Sequence, residues 1–297
     1  MLTNLWTIFF LALRELRDGD DRARTPEPMV IDDRAAVRRF SEGGATQAAM
    51  RSVYDFNARA LSALIPEGGR LLDLGVGAGQ ALAYLLHRRP DITAIGLDLS
   101  SPMLAAAENT LAQQGLASRV CLTRADIAEI PPAVASEPVD AISCLWTLHQ
   151  LPDAEVLTAA LRQIGALRDR HGAAVWLLDF QRLASPRTFP DLLTATEPGY
   201  PGLLREDAIA SEAAAFRAAE LRGYLDTVGL GDLSQRRTWP LRLMQAWWAS
   251  ARHAAPGHAR PWTEVPLDPA TRRQAALLRR AFGTSGLPRP IRPPVRG

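Results

Sequence analysis

Three aspartates and three closely spaced glycines are the residues in this sequence best suited to bind a charged, hydroxylated ligand. Gly75, Gly77 and Gly79 stand at alternate positions after a short apolar run. Glycine lets a turn adopt backbone angles closed to other residues, and it lets a ligand approach the main chain. The aspartates are Asp73, Asp98 and Asp126. Because carboxylates accept hydrogen bonds from ribose hydroxyls and from amino groups, this set predicts a nucleoside-binding site.

The spacing of the glycines argues against a dinucleotide. A dinucleotide-binding turn reads G-x-G-x-x-G, whereas these glycines read G-x-G-x-G and Gln80 stands at the last position. Asp73 lies in the strand before the turn, where such a site is normally apolar. Three carboxylates suit a nucleoside with a positive charge better than a diphosphate, so NAD-dependent oxidoreduction is kept only as an alternative.

Alternating strands and helices must position these residues. Short apolar runs ended by Gly, Pro or Asp predict buried strands, and the patterns between them predict helices. The expected strands lie at about 70–74, 92–97, 119–123, 139–145 and 173–179, and the helices at 78–88, 101–115 and 153–168. This rhythm predicts a doubly wound α/β sheet that binds its ligand at the carboxyl ends of the strands.

The N-terminal residues predict an amphipathic helix. Its apolar residues recur at helical spacing and are Leu2, Trp6, Phe9, Leu13 and Leu16. We expect this helix to dock on the body or to cover the pocket, with contact to a membrane surface or to a second copy as an alternative. The apolar run is too short to span a bilayer and lacks the features of a signal peptide, so no transmembrane segment is expected.

Composition assigns the remaining segments. Asp32 or Asp33 is expected to cap a short helix that the Gly43–Gly44 pair ends, and the Pro- and Gly-rich residues 181–206 predict a long loop. The other expected elements are a linker at 18–33, helices at 46–65, 207–228 and 268–282, two strands within 233–249 and a disordered tail. The expected regions are an N-terminal helical segment or lid (1–45), an α/β domain (46–250) with a covering insertion (181–206), and an Arg/Pro-rich extension (251–297).

Charge and cysteine content narrow the function only slightly. The sequence contains no lysine, and with 34 arginines the formal net charge is +2, so nucleic acid is not an expected partner. From Pro269 onward there are seven arginines and no acid, which keeps an RNA- or protein-directed role open as an alternative. Cys121 and Cys144 lack metal-ligand spacing, so we expect buried reduced thiols, no metal site and a cytoplasmic protein.

Five motifs in order resemble those of class I S-adenosylmethionine-dependent methyltransferases. The first three are L-L-D-L-G-V-G-A-G-Q, G-L-D-L-S-S-P-M-L and R-A-D-I-A-E-I-P. The last two are similar to the fourth- and fifth-strand motifs and read P-V-D-A-I-S-C-L-W-T-L-H-Q-L-P-D and H-G-A-A-V-W-L-L-D-F. The resemblance covers about residues 46–180. It implies a Rossmann-like seven-stranded sheet whose last strand is antiparallel, with S-adenosylmethionine as the cofactor.

The resemblance also implies a role for individual residues. The three glycines would face the methionine and ribose parts of the cofactor, Asp98 would hold the ribose hydroxyls, and Asp73 would orient the methionine amino group. The adenine would be held by Asp126, the backbone near Ile127, and the side chain of Leu99. Tyr54 and Arg59, on the preceding helix, would close over the amino-acid end, although Tyr54 also fits a core position.

The methyl acceptor is defined mainly by exclusion. Displacement at a sulfonium needs positioning and exclusion of water, and it needs a general base only when the nucleophile carries a proton of high pKa. His149, just past the fourth strand, is the candidate base or else a packing residue, and Asp179 is an alternative. The stretch S-C-L-W lacks the motifs of nucleobase, protein-arginine and cytosine-C5 methyltransferases. We therefore expect a small, partly apolar metabolite, methylated at O, N or C. Trp146 would line its pocket, and its cover would comprise Phe180, Phe189, Tyr200 and Trp6.

Overall fold

The computed structural model describes residues 2–19, 22–252, 262–283 and 287–288. Its strands are β1 (Arg70–Leu74), β2 (Thr93–Asp98), β3 (Val120–Arg124), β4 (Ala141–Leu145), β5 (Ala174–Phe180), β6 (Ser234–Arg237) and β7 (Met244–Ala249). Its first six helices are α1 (Leu2–Asp18), α2 (Arg34–Thr46), α3 (Ala48–Leu64), α4 (Gln80–Arg88), α5 (Ser101–Gln113) and α6 (Pro132–Ala135). The others are α7 (Ala154–His171), α8 (Thr188–Thr196), α9 (Gly202–Ala214), α10 (Ala218–Thr227) and α11 (Pro269–Phe282).

The strands form one sheet in the order β3-β2-β1-β4-β5-β7-β6. Strands β1 to β5 pair in parallel, whereas β7 runs antiparallel to both β5 and β6. The predicted seven-stranded Rossmann-like sheet with an antiparallel last strand is therefore confirmed. Since the order reverses between β1 and β4, the carboxyl ends of these strands flank a crevice of the kind that binds nucleotides.

Alternate residues of each central strand enter opposite core layers. In β1, Leu71 packs with the layer of α3, α4 and α11, whereas Leu72 packs with that of α7 and α10. Trp176 and Leu177 divide in the same way in β5. Because both faces are covered by helices, these strands read as continuous apolar runs, and this made them predictable from the sequence.

The Gly43–Gly44 pair does not end a helix, contrary to the prediction. Asp33 caps α2 through the backbone N–H of Ala36, and the helix continues to Thr46. A Cβ on Gly43 would lie 2.6 Å from Leu204 Cδ1, and one on Gly44 would lie 2.8 Å from the Tyr54 hydroxyl. The two glycines therefore allow α2 to pack closely against α9 and α3.

The region 181–228 also differs from the prediction. The predicted loop contains α8 and the start of α9, and the single helix expected at 207–228 is interrupted between Ala214 and Ala218. At the interruption, Arg182 Nη1 donates to the carbonyl of Ala215, and Gln245 Nε2 donates to that of Phe216. These long-range bonds satisfy backbone carbonyls that a continuous helix would otherwise use.

Residues 22–33, predicted as part of a linker, form an ordered strap across the body. The guanidinium of Arg24 lies 4.1 Å from the ring centroid of Phe216. It also donates to four backbone carbonyls, those of His149, Leu151, Pro152 and Ala214. Arg22 pairs with the buried carboxylate of Glu212 at 2.8 Å. The half-buried guanidinium of Arg24 thus fixes a segment that has no regular secondary structure of its own.

Helix α1 docks on the body along one side only. Leu11 is buried, and Glu15 accepts the backbone N–H groups of Ala184 and Ser185. The opposite side of the helix leaves Trp6 62% exposed and Phe10 62% exposed. Contact of this face with a membrane or with a second copy stays a prediction. None of the described helices is long and apolar enough to cross a membrane.

The predictions for one cysteine and for the C-terminal helix are confirmed, whereas the prediction for the other cysteine is wrong. Cys144 is buried as expected, but Cys121 is exposed because β3 is an edge strand. The Arg-rich helix is confirmed as α11, whose Phe282 ring stacks on Phe56 at a centroid distance of 4.7 Å. The tail predicted to be disordered begins at Pro288 and lies, from residue 289 on, outside the described residues.

Candidate cofactor and acceptor site

A cavity opens at the carboxyl ends of β1, β2 and β4. Asp73, Gly75 and Gly77 line it from β1 and the following turn, and Asp98 lines it from the end of β2. Apolar side chains complete most of the remaining wall, and they include Ile31, Phe40, Met103, Leu145 and Trp146. The cavity therefore lies at the reversal of strand order, and its lining combines two carboxylates with apolar side chains.

The glycine turn is shaped by close approach at one position and by a left-handed backbone at another. A Cβ on Gly75 would lie 2.1 Å from the hydroxyl of Thr147, so only glycine lets the turns after β1 and β4 meet. Gly77 has φ +53°, and a Cβ there would meet only Phe40, at 3.8 Å. Because Gly77 has no side chain, its main chain is open to close approach by a ligand in the cavity. Gly79 caps α4 and packs against Ala107.

Asp98 is held rigidly at the edge of the cavity. Its Oδ2 accepts the backbone N–H of Gly77 at 2.8 Å, and its Oδ1 accepts that of Ser100 at 2.9 Å. Burial raises the pKa of Asp98, and these backbone hydrogen bonds oppose that rise. Each oxygen keeps a further lone pair, so the carboxylate is able to accept two hydroxyl groups from a ligand.

Asp73 is a buried carboxyl group in the same cavity. Its Oδ1 accepts a hydrogen bond of 2.5 Å from the Ser143 hydroxyl. Burial raises the pKa of Asp73 to about 6, the nearby carboxylate of Asp98 adds to the rise, and Ser143 opposes it. A cationic ligand would favour the ionised form of this group.

His149 lies beside the cavity and is held by two carboxylates. Its Nδ1 lies 2.6 Å from Asp179 Oδ1, and its Nε2 lies 3.1 Å from Glu27 Oε1 in the strap. Burial lowers the pKa of His149, but Asp179 and Glu27 outweigh it and raise the pKa to about 9. The imidazole is therefore protonated at neutral pH and has both ring nitrogens paired. In this conformation it is not arranged to take a proton from an acceptor.

Aromatic rings form the wall that follows β4 and β5. Trp146 stacks on Phe180 at 5.6 Å, and Tyr54 meets Trp146 edge-on at 6.1 Å. Phe189 packs against the far side of Phe180 at 5.9 Å. The prediction that Trp6 covers this site is wrong, because that side chain lies on the exposed face of α1.

Comparison with known proteins identifies the fold family. Residues 71–172 match a methyltransferase domain family. A demethylmenaquinone methyltransferase of Roseiflexus sp. (strain RS-1) is 32% identical over 121 residues, which cover 41% of this chain and 47% of that protein. A methyltransferase of Aspergillus campestris is 29% identical over 94 residues, covering 32% and 28%. The chain therefore spans less than half the length of these curated relatives.

The solved structures show the same fold. An O-methyltransferase family protein from Burkholderia thailandensis superposes with a TM-score of 0.52 at 17% identity, covering 75% of this chain and 61% of that one. The sheet order and the antiparallel β7 agree with this fold. Residues 71–172 are thus a methyltransferase domain, and the sheet around them has the class I S-adenosylmethionine-dependent methyltransferase fold.

The methyltransferase domain implies S-adenosylmethionine as its cofactor, and the cavity fits that molecule. Gly77 presents a main chain without a side chain to the cavity, and the carboxylate of Asp98 accepts its N–H. The carboxyl group of Asp73 offers a counter-charge to an ammonium or sulfonium group. Met103 and Phe40 supply apolar wall.

The predicted cofactor residues are only partly brought together in the methyltransferase cavity. Those that line it are Tyr54, Asp73, Gly75, Gly77 and Asp98. Gly79 caps α4 and does not line the cavity, contrary to the prediction. Leu99, Asp126 and Ile127 follow the neighbouring strands but do not line it, and Asp126 Oδ1 accepts the backbone N–H of Ala128 at 2.8 Å. Arg59 lies elsewhere, paired with Asp55 and Glu264, so it does not close over the cofactor end.

Several residues that line the cavity of the methyltransferase domain were not predicted from the sequence. Met29, Val30 and Ile31 belong to the strap, and Phe40 belongs to α2. The carbonyl of Ile31 accepts a 2.7 Å hydrogen bond from Ser100 Oγ, which ties the strap to the end of β2. Ser100 had a readable signal as the N-cap of α5, but nothing in residues 22–33 distinguishes a strap from a linker.

Proposed function

We propose that this chain transfers a methyl group from S-adenosylmethionine to a small, partly apolar acceptor. The observation that carries the proposal is the pairing of Asp98 with the Gly77 turn at the carboxyl end of β2. This pairing holds a carboxylate in place beside a glycine whose main chain lines the cavity. The aromatic wall and the strap supply the apolar, covered space that an acceptor needs.

The roles of the chain's own residues follow from their places in the cavity. Asp98 would accept the ribose hydroxyls, and Asp73 would accept hydrogen bonds from the methionine amino group. The Gly75–Gly77 turn would let the main chain approach the cofactor. We also propose that Leu99, Asp126 and Ile127 hold the adenine beyond the lined part of the cavity. When bound, the cofactor supplies a methyl carbon whose bond to sulfur breaks as the acceptor's lone pair bonds to it.

Positioning and water exclusion would do most of the catalytic work. The strap lies over the cavity through Met29 to Ile31, and the insertion 181–206 supports the aromatic wall through Phe189. We propose that residues 1–45 and 181–206 together cover the reaction space of the 46–250 domain. His149 would then link the strap to the sheet as a charged group, and a proton released by the acceptor would leave to water.

An RNA-directed role gains no support from the described arginines. Arg279 reaches Asp55 Oδ2 at 3.4 Å, and Arg272 donates to the carbonyl of Leu267, so two of the seven bind within the chain. The two roles are separable by deleting residues 289–297, because that truncation leaves α11 on α3. A salt-dependent shift of a short RNA that this truncation abolishes would favour the alternative.

Calorimetry with S-adenosylhomocysteine, followed by transfer of a labelled methyl group into a metabolite extract, tests the proposal. We expect saturable binding of S-adenosylhomocysteine, thermal stabilisation by it, and labelled product of low molecular mass. NADH is the matched nucleotide control and should give no stabilisation. Stabilisation by NADH without any by S-adenosylhomocysteine would contradict the proposal.

A further inference from the structure

The backbone at Trp146 adopts a conformation that bulky residues avoid. Trp146 has φ +50° and is the one non-glycine among the described residues with a positive φ. Its N–H donates to the carbonyl of Leu178 at 2.9 Å, so the pairing of β4 with β5 fixes this geometry. Backbone strain of this kind is found where the surrounding structure aims a side chain at a functional position.

The indole of Trp146 lies within a continuous aromatic wall. One side stacks on Phe180 with an angle of 11° between the rings, and Tyr54 approaches at 65°. Tyr54 and Trp146 both line the cofactor cavity. A flat apolar molecule packs well on such a wall, because aromatic rings favour stacked and edge-to-face contacts.

The indole N–H of Trp146 is buried and has no hydrogen-bond acceptor among the described residues. The core indoles differ in this respect, since Trp176 donates to Asn57 at 2.7 Å and Trp247 donates to Gln245 at 3.0 Å. Trp262 also lacks an acceptor, but it borders residues 253–261, which are not described. A buried donor without a partner is costly, so the donor of Trp146 is best explained as one that a ligand satisfies.

The charges around the cavity restrict what that ligand carries. Asp73 and Asp98 are the charged side chains among the described residues of its lining. His149 is a cation that packs beside Phe180, but it is already paired with two carboxylates. An acceptor with a carboxylate or a phosphate would therefore meet acidic groups and find no free positive charge.

We infer that the methyl acceptor is an uncharged molecule with a flat apolar body. It packs on the rings of Tyr54 and Trp146, and it accepts a hydrogen bond from Trp146 Nε1 through an oxygen or nitrogen lone pair. Trp146 is thus a specificity-determining residue. The inference rests on the proposed methyl transfer, because it places the acceptor next to the cofactor cavity.

The test uses a matched pair of probes on protein saturated with S-adenosylhomocysteine. At neutral pH, 2-naphthol is uncharged and 2-naphthoate is an anion of similar shape, and naphthalene lacks the polar atom. By calorimetry we expect 2-naphthol to bind at least about tenfold more tightly than 2-naphthoate. Trp146→Phe should weaken the binding of 2-naphthol about fivefold, which is the effect of one neutral hydrogen bond. The affinity for naphthalene should stay unchanged.

Two controls keep this test separate from the proposed function. Trp6→Phe makes the same substitution at an exposed site and should change the affinity for neither probe. Binding of S-adenosylhomocysteine is measured first, and its failure would refute the methyltransferase proposal itself. With that ligand bound, three results would each overturn the inference. These are equal or tighter binding of 2-naphthoate, no binding of 2-naphthol at about 1 mM, and equal loss of 2-naphthol and naphthalene in Trp146→Phe.

Discussion

His149 and Asp179 form a two-point contact between the turn after β4 and the end of β5. Nδ1 of His149 lies 2.6 Å from Asp179 Oδ1, and the second carboxylate oxygen accepts the backbone N–H of His149 at 3.0 Å. On its other side the imidazole meets Glu27 of the strap. One protonated histidine therefore joins two strands of the sheet to the segment that covers the cavity.

The pH dependence of stability should report this proton. Because Asp179 and Glu27 outweigh burial and raise the folded pKa of His149 to about 9, its contribution is fully present below about pH 6.5, the unfolded value. It is lost as the pH rises through 9, and the loss is about 3 kcal/mol in the free energy of unfolding. Urea unfolding at the two ends of this window measures it. His149→Gln should flatten this part of the profile, and an unchanged slope in that variant would contradict the assignment.

Replacement of Asp98 by Asn should weaken the binding of S-adenosylhomocysteine. The variant would lose the charged hydrogen bonds that the carboxylate accepts from the ribose. These correspond to about 1.5–3 kcal/mol, or roughly 10- to 100-fold in the dissociation constant. Asp140→Asn is the matched control. Asp140 also accepts a backbone N–H, that of Arg70, but it lies at the amino ends of the strands, away from the cavity. Calorimetry that finds equal affinities for the two variants would remove Asp98 from the ribose site.

Cofactor affinity should fall on acidification because of Asp73. Burial raises the pKa of this carboxyl group to about 6, and only its ionised form attracts a cationic ligand. Binding of S-adenosylmethionine should therefore release a proton near that pH, and the affinity should rise with pH through about 6. Asp73→Asn keeps an acceptor for Ser143 but cannot ionise, so its affinity should be lower and flat over this range. The same pH slope in the variant would point to another group.

The central sheet and the glycine turn could be predicted because their signals are local. Leu71, Leu72 and the glycines after them specify a buried strand and a turn within ten residues. Asp98 was expected at this end of the sheet for the same reason, since it follows four buried residues of β2, and it lines the cavity. Short-range patterns of this kind specify the strand ends and the turn that line the cavity.

The cover of the site could not be predicted because its contacts join distant parts of the chain. Residues 22–33 look like a linker until Arg24 is seen donating to the carbonyl of His149, 125 residues away. Likewise Gly43 breaks helices by propensity, yet here it makes room for Leu204. Propensity describes a segment in isolation, whereas these segments take their structure from their partners.

Loss of the Arg24 fork should loosen the strap. Arg24→Ala removes side-chain donors to four backbone carbonyls and the contact with Phe216. Because Met29 to Ile31 line the cavity, we expect faster dissociation of S-adenosylhomocysteine and a lower melting temperature. Stopped-flow displacement measures the first and scanning calorimetry the second. Arg38→Ala, whose side chain is 73% exposed, is the matched control and should change neither. An unchanged dissociation rate in Arg24→Ala would show that the strap does not gate the cavity.

Removal of the Asp55 carboxylate should be costly for stability, although Asp55 lies outside the cavity. It is fully buried, and it pairs with Arg88 at 2.6 Å and with Arg59 at 2.8 Å, so that it joins α3 to α4. The side chain of Arg88 is also fully buried, and Asp55→Ala would leave its charge without this partner. Breaking a buried pair from one side typically costs about 3–5 kcal/mol in the free energy of unfolding.

Glu137→Gln is the contrasting variant, because it breaks the half-exposed pair of Glu137 with Arg70, and it should cost less than about 1 kcal/mol. Urea denaturation of both variants measures the difference. The affinity of folded Asp55→Ala for S-adenosylhomocysteine should stay close to that of the wild type, since Asp55 does not line the cavity. Similar small losses of stability in the two variants would mean that Arg88 finds another partner or water. In that case the buried cluster would not fix α4, the helix that starts from the glycine turn.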